Sequence, residues 1–264
     1  MPEQQLFSHY LQEVDEMLVG FNHKQRDEIK LELLAHLQDA AAEQDVSPDD
    51  ETLQREVIEA LGSSLDLGMA LHRAHMEGRF TMRRLVDISL ALLWLCVFAP
   101  FCLVAVVLMK LDSPGPVFFK MPAVGQYGRR FSLYKLRTMT HGSDHPRLTR
   151  IGAWVRRATI DELMLLLNVL KGDMSMFGPR VLRPYDLDMS DPLCQRILLA
   201  RPGICSPSLV FYGFPRPTLK KQLEIDMHYI EHRSFPYDFH LITGTLKQAL
   251  LKWAKGGKNN GAGL

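Results

Sequence analysis

With 264 residues and a formal net charge of +1, the chain is long enough for one medium domain and a small one. Its four cysteines, Cys96, Cys102, Cys194 and Cys205, show neither metal-ligand spacing nor a disulfide framework. The near-even charge hides a split: residues 1–80 carry 17 acidic and 6 basic side chains, whereas residues 81–264 carry 13 acidic and 25 basic. The second part therefore attracts anions such as phosphates or acidic lipid headgroups.

Residues 1–78 read as a small acidic helical unit. Phe7, Leu11, Val14, Leu18 and Phe21 recur at helical spacing and predict a helix ending near Gly20, and Ile29, Leu33 and Leu37 form a second stripe. Ser47-Pro48-Asp49-Asp50 predicts a further helix start, followed by a stripe of Leu53, Val57 and Leu61, with Gly62 as terminator. These apolar faces are modest. The unit is either a solvated bundle or a module that packs against a protein partner or a second copy in a homodimer. The polar, acidic N-terminus predicts no cleavable signal peptide.

From Leu85 to Leu108 run 24 residues holding one acid, Asp87, and one proline, Pro100. About 20 apolar residues suffice to cross a bilayer. Arg83 and Arg84 precede the segment and Lys110 follows it, whereas a plain crossing favours positive charge at one end. Positive charge at both ends and a kink at Ala99–Pro100 predict a helix that enters the membrane, bends and returns to the same face. A single crossing and a buried soluble helix are the alternatives.

A β-hairpin is predicted next, with Val117-Phe118-Phe119 and Phe131-Ser132-Leu133-Tyr134 around Gly125–Gly128. The chain then turns polar and becomes helical from Thr159, and a loop rich in Gly, Met and Pro runs from Gly172 to Pro184. In the last predicted helix Leu246, Leu250 and Trp253 share a face with Lys247 and Lys252 off it, as in an interfacial helix. Residues 255–264 read as a disordered tail.

Two stretches carry the chemistry. Arg129, Arg130, Lys135, Arg137, Arg147, Arg150, Arg156 and Arg157 form a basic run against one acid, Asp144. Such a run is a solvated face, an anionic-lipid patch or a phosphate site, since arginine forks and lysine point charges both bind phosphate oxygens. Without a recognition helix or aromatic stacking platform, no nucleic acid partner is expected. The second stretch is Thr159-Ile160-Asp161-Glu162, which reads as a capping box between Thr159 and Glu162. A helix N-terminus would also keep Asp161 ionised and nucleophilic, and a carboxylate pair suits Mg²⁺.

Several linked motifs resemble the bacterial sugar transferases, the monotopic polyprenyl-phosphate phosphoglycosyl transferases. They are Arg84-Leu85-Val86-Asp87, Ser113-Pro114-Gly115-Pro116-Val117-Phe118-Phe119, Tyr134-Lys135-Leu136-Arg137-Thr138-Met139, Arg150-Ile151-Gly152 and Asp161-Glu162-Leu163. Asn168-Val169-Leu170-Lys171-Gly172-Asp173-Met174-Ser175, Gly178-Pro179-Arg180 and Arg201-Pro202-Gly203-Ile204 complete the set. The N-terminal unit resembles helical prefix domains found ahead of some bacterial membrane proteins.

The resemblance implies an α-rich α+β fold. An acidic all-α prefix domain would span residues 1–78, and a membrane-associated catalytic domain residues 79–254, with a re-entrant helix hairpin over residues 84–110. The enzyme would sit on the cytoplasmic face of the bacterial inner membrane. It would transfer a sugar-1-phosphate from a nucleotide-sugar, a UDP-sugar, to a polyprenyl phosphate such as undecaprenyl phosphate, initiating surface glycan or exopolysaccharide synthesis. Asp161 would be the nucleophile and Glu162 would bind or orient Mg²⁺ beside it, the two acids forming the metal site. Lys135, Arg137, Arg156 and Arg180 would hold substrate phosphates, with Pro179 and Asp226 also in the substrate-binding site; Asp226 matches an acidic family position. The chain departs from the family pattern at Met121, Ala123, Met164, Leu165, Val181 and Cys205. A catalytically silent scaffold, in which Asp161 and Glu162 only cap a helix, and a membrane-bound phosphohydrolase are the alternative readings.

Overall fold

Two sets of elements, one within Met1–Arg79 and one within Phe80–Leu264, make up the fold. The computed structural model describes residues 5–18, 21, 23–43, 58–60, 62–76, 82–142 and 145–255.

In the first unit, helices α1 (Gln5–Met17), α2 (His23–Glu43) and α3 (Ser64–Met76) enclose a small core. Tyr10 and Val14 of α1 meet Leu33 and Leu37 of α2, with Leu67 and Leu71 of α3 packed against them. Leu18, Phe21 and Ile29 form a second cluster. Removing such side chains from water is the main favourable term in folding. Gly68 of α3 lies so close to α1 that a Cβ there would stand 2.5 Å from the Cβ of Met17. The N–H of Asp66 donates to Ser63 Oγ (3.1 Å) at the start of α3, a helix not foreseen from the sequence. The helix start expected at Ser47–Asp50 and its stripe at Leu53, Val57 and Leu61 lie outside the described residues.

The second unit begins with α4 (Met82–Asp112), the one helix among the described residues that is apolar and long enough to cross a membrane. Pro100, the expected kink position, lies within it, and the helix runs on either side of it. Along one side, Ala91 joins a core with Leu165, Leu166, Val169, Met174 and Met176. Further along, Cys102, Ala105 and Met109 pack on Leu136, Val155, Ile160 and Met164. The other side leaves Leu93, Val97, Phe101 and Leu103 exposed.

Polar bonds fasten α4 at several points. Arg84 donates to the carbonyls of Val169 (2.6 Å) and Leu170 (3.0 Å). These belong to the last turn of α6 (Leu165–Lys171), where carbonyls have no helical partner and a cation suits the dipole. Asp87, the buried acid of α4, accepts from Ser175 Oγ (2.9 Å) and the N–H of Met176 (2.8 Å). At the far end Asp112 accepts from the N–H of Ile151 (3.1 Å), which opens α5 (Arg150–Arg157).

The predicted hairpin is present as antiparallel β1 (Phe118–Val124) and β2 (Arg130–Leu136), in register from Phe118 opposite Leu136 to Val124 opposite Arg130. Asn168 of α6, fully buried, accepts from the N–H of Tyr134 (3.1 Å) and donates to the carbonyl of Ser132 (2.8 Å), saturating the free edge of β2. The segment expected as a loop after Gly172 contains β3 (Ser175–Phe177), which pairs in parallel with β4 (Gly203–Cys205). Four more helices complete the unit: α7 (Pro192–Ile197), α8 (Pro207–Tyr212), α9 (Leu219–Glu231) and α10 (Phe235–Ala254).

Candidate active site

The acid pair sits where α5 ends. Helix begins at Arg150 rather than Thr159, with Thr149 Oγ1 accepting from the N–H of Gly152 at 2.9 Å. The chain then breaks at Thr159, which adopts a left-handed conformation (φ 60°, ψ 18°) uncommon for a β-branched residue. A short 3-10 turn, Ile160–Met164, follows before α6.

This conformation overturns the expected capping box. Thr159 makes no side-chain cap, and its Oγ1 is buried without a hydrogen-bond partner. The N–H of Glu162 bonds to the Thr159 carbonyl instead (3.2 Å), and the Glu162 side chain accepts from Lys135 Nζ at 3.1 Å. The acids are thus released from helix capping and turned toward the basic groups.

Asp161 and Glu162 are electrostatically unlike. Burial, reinforced by the charge of Glu162, raises the Asp161 carboxyl to about 6, although Lys135, Lys252 and Arg156 pull it back. The expectation that a helix N-terminus alone holds this acid low is therefore corrected: desolvation outweighs it. Asp161 Oδ1 is buried with no hydrogen-bond partner. For Glu162 burial also works upward, but Lys135 and Lys252, the hydrogen bond from Lys135, and Arg180 together hold it low, at about 2. Among the described residues no third histidine, cysteine or carboxylate completes a metal cage. Two hard carboxylates, one with an unbonded oxygen, are a sparse donor set of the chemistry that would suit Mg²⁺.

Arg180 is placed by three elements. Gly178 precedes it so tightly that a Cβ there would meet the Arg201 carbonyl at 2.3 Å. Pro179 is buried, and its carbonyl accepts from the N–H of Gly203 (2.9 Å), extending the β3–β4 contact. Helix α9 then holds both sides of Arg180: Asp226 Oδ2 accepts its N–H at 2.7 Å and Gln222 Nε2 donates to its carbonyl at 3.2 Å. Asp226 also accepts from the Ser208 N–H (3.0 Å), and burial pushes its carboxyl up to about 6 despite these bonds. The Arg180 guanidinium donates to the carbonyls of Gly213 (3.4 Å) and Phe214 (3.1 Å).

Of the residues singled out from sequence, Lys135, Arg156 and Arg180 gather electrostatically on the acid pair. Pro179 and Asp226 support Arg180 from behind. Arg137 is not among them: it is buried, and its guanidinium is taken up by the carbonyls of Ser113 and Pro114 in the loop after α4.

Lys252 was not foreseen. It lies on α10, where a lysine off the apolar face of an amphipathic helix ordinarily points to water. Asp238, Leu241, Thr245, Gln248 and Lys252, however, follow one another at alternating spacings of three and four, and this is the inward stripe: Asp238 and Leu241 are buried, and Gln248 Nε2 donates to the Val210 carbonyl at 2.8 Å. The Lys252 ammonium lies 3.9 Å from the centre of the Phe214 ring and interacts with both acids. Arg216 was also missed. It bonds Asp186 (3.1 Å) and the Val181 carbonyl (3.0 Å), and its positive charge lies close enough to Arg180 to be felt.

Residues 78–252 match the family described as bacterial sugar transferase. The chain belongs to this family. This sugar transferase is 34% identical over 184 residues to a UDP-N-acetylgalactosamine-undecaprenyl-phosphate N-acetylgalactosaminephosphotransferase of Aeromonas hydrophila, which covers 64% of the chain and 44% of the relative. It is 35% identical over 189 residues to a UDP-glucose:undecaprenyl-phosphate glucose-1-phosphate transferase of Caulobacter vibrioides, covering 64% of the chain and 69% of the relative. A protein of the same description from Xanthomonas campestris pv. campestris is 30% identical over 260 residues, with 90% of the chain and 53% of the relative covered. The sugar transferase chain therefore spans about half the length of two of these relatives.

Proposed function

We propose that this chain transfers a sugar-1-phosphate from a UDP-sugar to a polyprenyl phosphate through a covalent phosphoryl-aspartate, at the cytoplasmic face of the bacterial inner membrane. The single observation that carries this reading is the buried Asp161 carboxylate, with one oxygen unbonded, beside a Glu162 already neutralised by Lys135 and within the field of Arg156, Arg180 and Lys252. Such a site draws a diphosphate in and leaves the lone pairs of one carboxylate oxygen uncommitted by any hydrogen bond.

In the first step an Asp161 oxygen forms a bond to the β-phosphorus of the donor. The bond from that phosphorus to the bridging oxygen breaks, and the nucleoside monophosphate leaves with the electron pair. In the second, an oxygen of the polyprenyl phosphate attacks the same phosphorus and the Asp161 carboxylate is released. Lys135 keeps Glu162 ionised and oriented, while Arg156 and Arg180 attract non-bridging oxygens. Mg²⁺, held by Glu162 and Asp161 when bound, would neutralise the diphosphate and the developing charge. One site used in turn suits a soluble donor and a lipid acceptor that never need to be bound together.

Membrane placement is supported by α4 and α10. Both ends of α4 bond to the same unit, at Val169 and Leu170 and at Ile151. Between them α4 packs on the residues that flank the acid pair. A single crossing would set those ends about 30 Å of hydrocarbon apart, with buried charge at the bilayer midplane. Entry and return on one face avoids that cost.

The relatives' descriptions name UDP-glucose and UDP-N-acetylgalactosamine, and these are the donors to test with undecaprenyl phosphate and Mg²⁺ in membranes. Formation of the lipid-linked sugar diphosphate, lost in Asp161→Asn, is expected; turnover that survives this substitution would refute the nucleophile. A homodimer through residues 1–78 belongs to the same proposal, and equal masses of the full chain and residues 79–264 in matched detergent over a range of concentrations would contradict it.

A further inference from the structure

Along its whole length α10 (Phe235–Ala254) is built the opposite way from a helix facing water. Phe235, Phe239, Leu246, Leu250 and Trp253 fall on one stripe and are all exposed, Phe239 at 67% and Leu250 at 69%. Lys252 instead continues the buried stripe and turns toward Asp161 and Glu162. An apolar stripe of this length has a natural covering in lipid. Arg157 of α5 fixes the end of the helix, donating from Nε to the Trp253 carbonyl at 3.0 Å with its guanidinium over the Trp253 ring. Arg157 thus holds the residue next to Lys252, while the Phe214 ring lies against the Lys252 ammonium itself.

The other cations at the acid pair reach it differently. Lys135 comes from the hairpin and is committed to Glu162. Arg180 comes from the loop after β3 and is committed to two carbonyls. The Lys252 ammonium is half-buried against the Phe214 ring and makes no hydrogen bond with any described residue. It retains three donors and a charge, and it is the cation delivered by the helix whose outer face is apolar.

Resting on the two-step reading above, we propose that Lys252 is a binding residue for the phosphate of the lipid acceptor, and that the foot of α10 is the point where that phosphate passes from the membrane surface to Asp161. A phosphate on a polyprenyl tail can approach only along a surface that faces lipid. Lys252 stands at the inner edge of such a surface, between the exposed Leu251 and Trp253. The soluble donor, arriving from water, is met by Lys135, Arg156 and Arg180.

The test separates the two sources of phosphate. Lys252→Met keeps the apolar stem and removes the charge, and Lys252→Arg restores it. Binding of undecaprenyl phosphate and of UDP-sugar to purified protein in nanodiscs is measured first. The Met variant is expected to weaken lipid phosphate binding about tenfold more than UDP-sugar binding, with recovery in the Arg variant. In half-reactions, discharge of the sugar-phosphoryl enzyme by polyprenyl phosphate should slow at least about tenfold more than its formation from donor, with a raised KM for the lipid. Equal loss on both ligands, or none on the lipid, would overturn the proposal. If the wild-type protein forms no covalent adduct, the phosphoryl-aspartate reading fails, and the binding measurement alone still decides the role of Lys252.

Discussion

Asp226 accepts the backbone N–H of Arg180 at 2.7 Å from a helix that begins 39 residues further along the chain. Together with Gln222 on the same helix, it fixes the peptide of the one arginine shared between the β3 loop and the acid pair. Asp226 therefore acts through Arg180, as a positioning residue. Replacing Asp226 by Ala should lower kcat/KM by about 10²-fold through displacement of the guanidinium and destabilise the protein by about 1–3 kcal/mol from unpaired buried N–H groups. Steady-state kinetics and thermal unfolding in the same detergent check both. Full activity in a folded variant would show that Arg180 needs no such support.

The pH profile follows from Asp161. Its carboxyl is raised to about 6, and only the ionised form attacks phosphorus. Activity should be level above this value and fall about tenfold per pH unit below it. Because Lys135 holds the Asp161 carboxyl down, Lys135→Met should move the break to higher pH. A profile flat from pH 5 to 7 would remove Asp161 from the rate-limiting chemistry.

Trp253 reports where α10 lies. The chain has three tryptophans, so Trp94→Phe with Trp154→Phe leaves Trp253 as the sole emitter. In vesicles containing brominated phospholipid its fluorescence should be quenched strongly if, as proposed, the exposed apolar stripe from Phe235 to Trp253 faces the interface. Emission at the wavelength of water-exposed indole, without quenching, would place the helix away from lipid.

The path of α4 can be read from its ends. Met82 and Leu111 are both exposed, and single cysteines at these positions, in a chain with Cys96, Cys102, Cys194 and Cys205 replaced by Ser, can be labelled with an impermeant maleimide. Both should react in inside-out vesicles and neither in right-side-out vesicles. Reaction of one end in each preparation would establish a crossing.

The acid pair, its basic neighbours and the apolar segment were legible because each is a local pattern of residue type. The conformation that makes the acids usable was not. Thr159 at positive φ stands next to Ile160 and Met164, which pack under α4 through long-range contacts, and a Thr-x-x-Glu sequence alone points to ordinary capping. Helix α5 hid within the basic run because only a few apolar side chains, Val155 chief among them, mark its buried face. Strands of three residues, as in β3 and β4, are too short to show alternation and owe their pairing to the close approach of Gly178 and Gly203. Lys252 lies off the apolar face as expected, but its place at the acid pair was not legible, because amphipathic patterning does not say which of the remaining positions is covered by the core. Arg137 shows the converse: its motif was legible, and its partners, the carbonyls of Ser113 and Pro114, were not.

The central claim is that Asp161 becomes covalently phosphorylated by the donor. Intact-mass spectrometry of purified protein incubated with Mg²⁺ and a panel of UDP-sugars, without lipid acceptor, tests it directly. The expected result is an added sugar-phosphate mass that is absent in Asp161→Asn and discharged by polyprenyl phosphate. A folded protein that forms the lipid-linked product, yet never carries the adduct even on rapid quenching, would contradict the covalent mechanism.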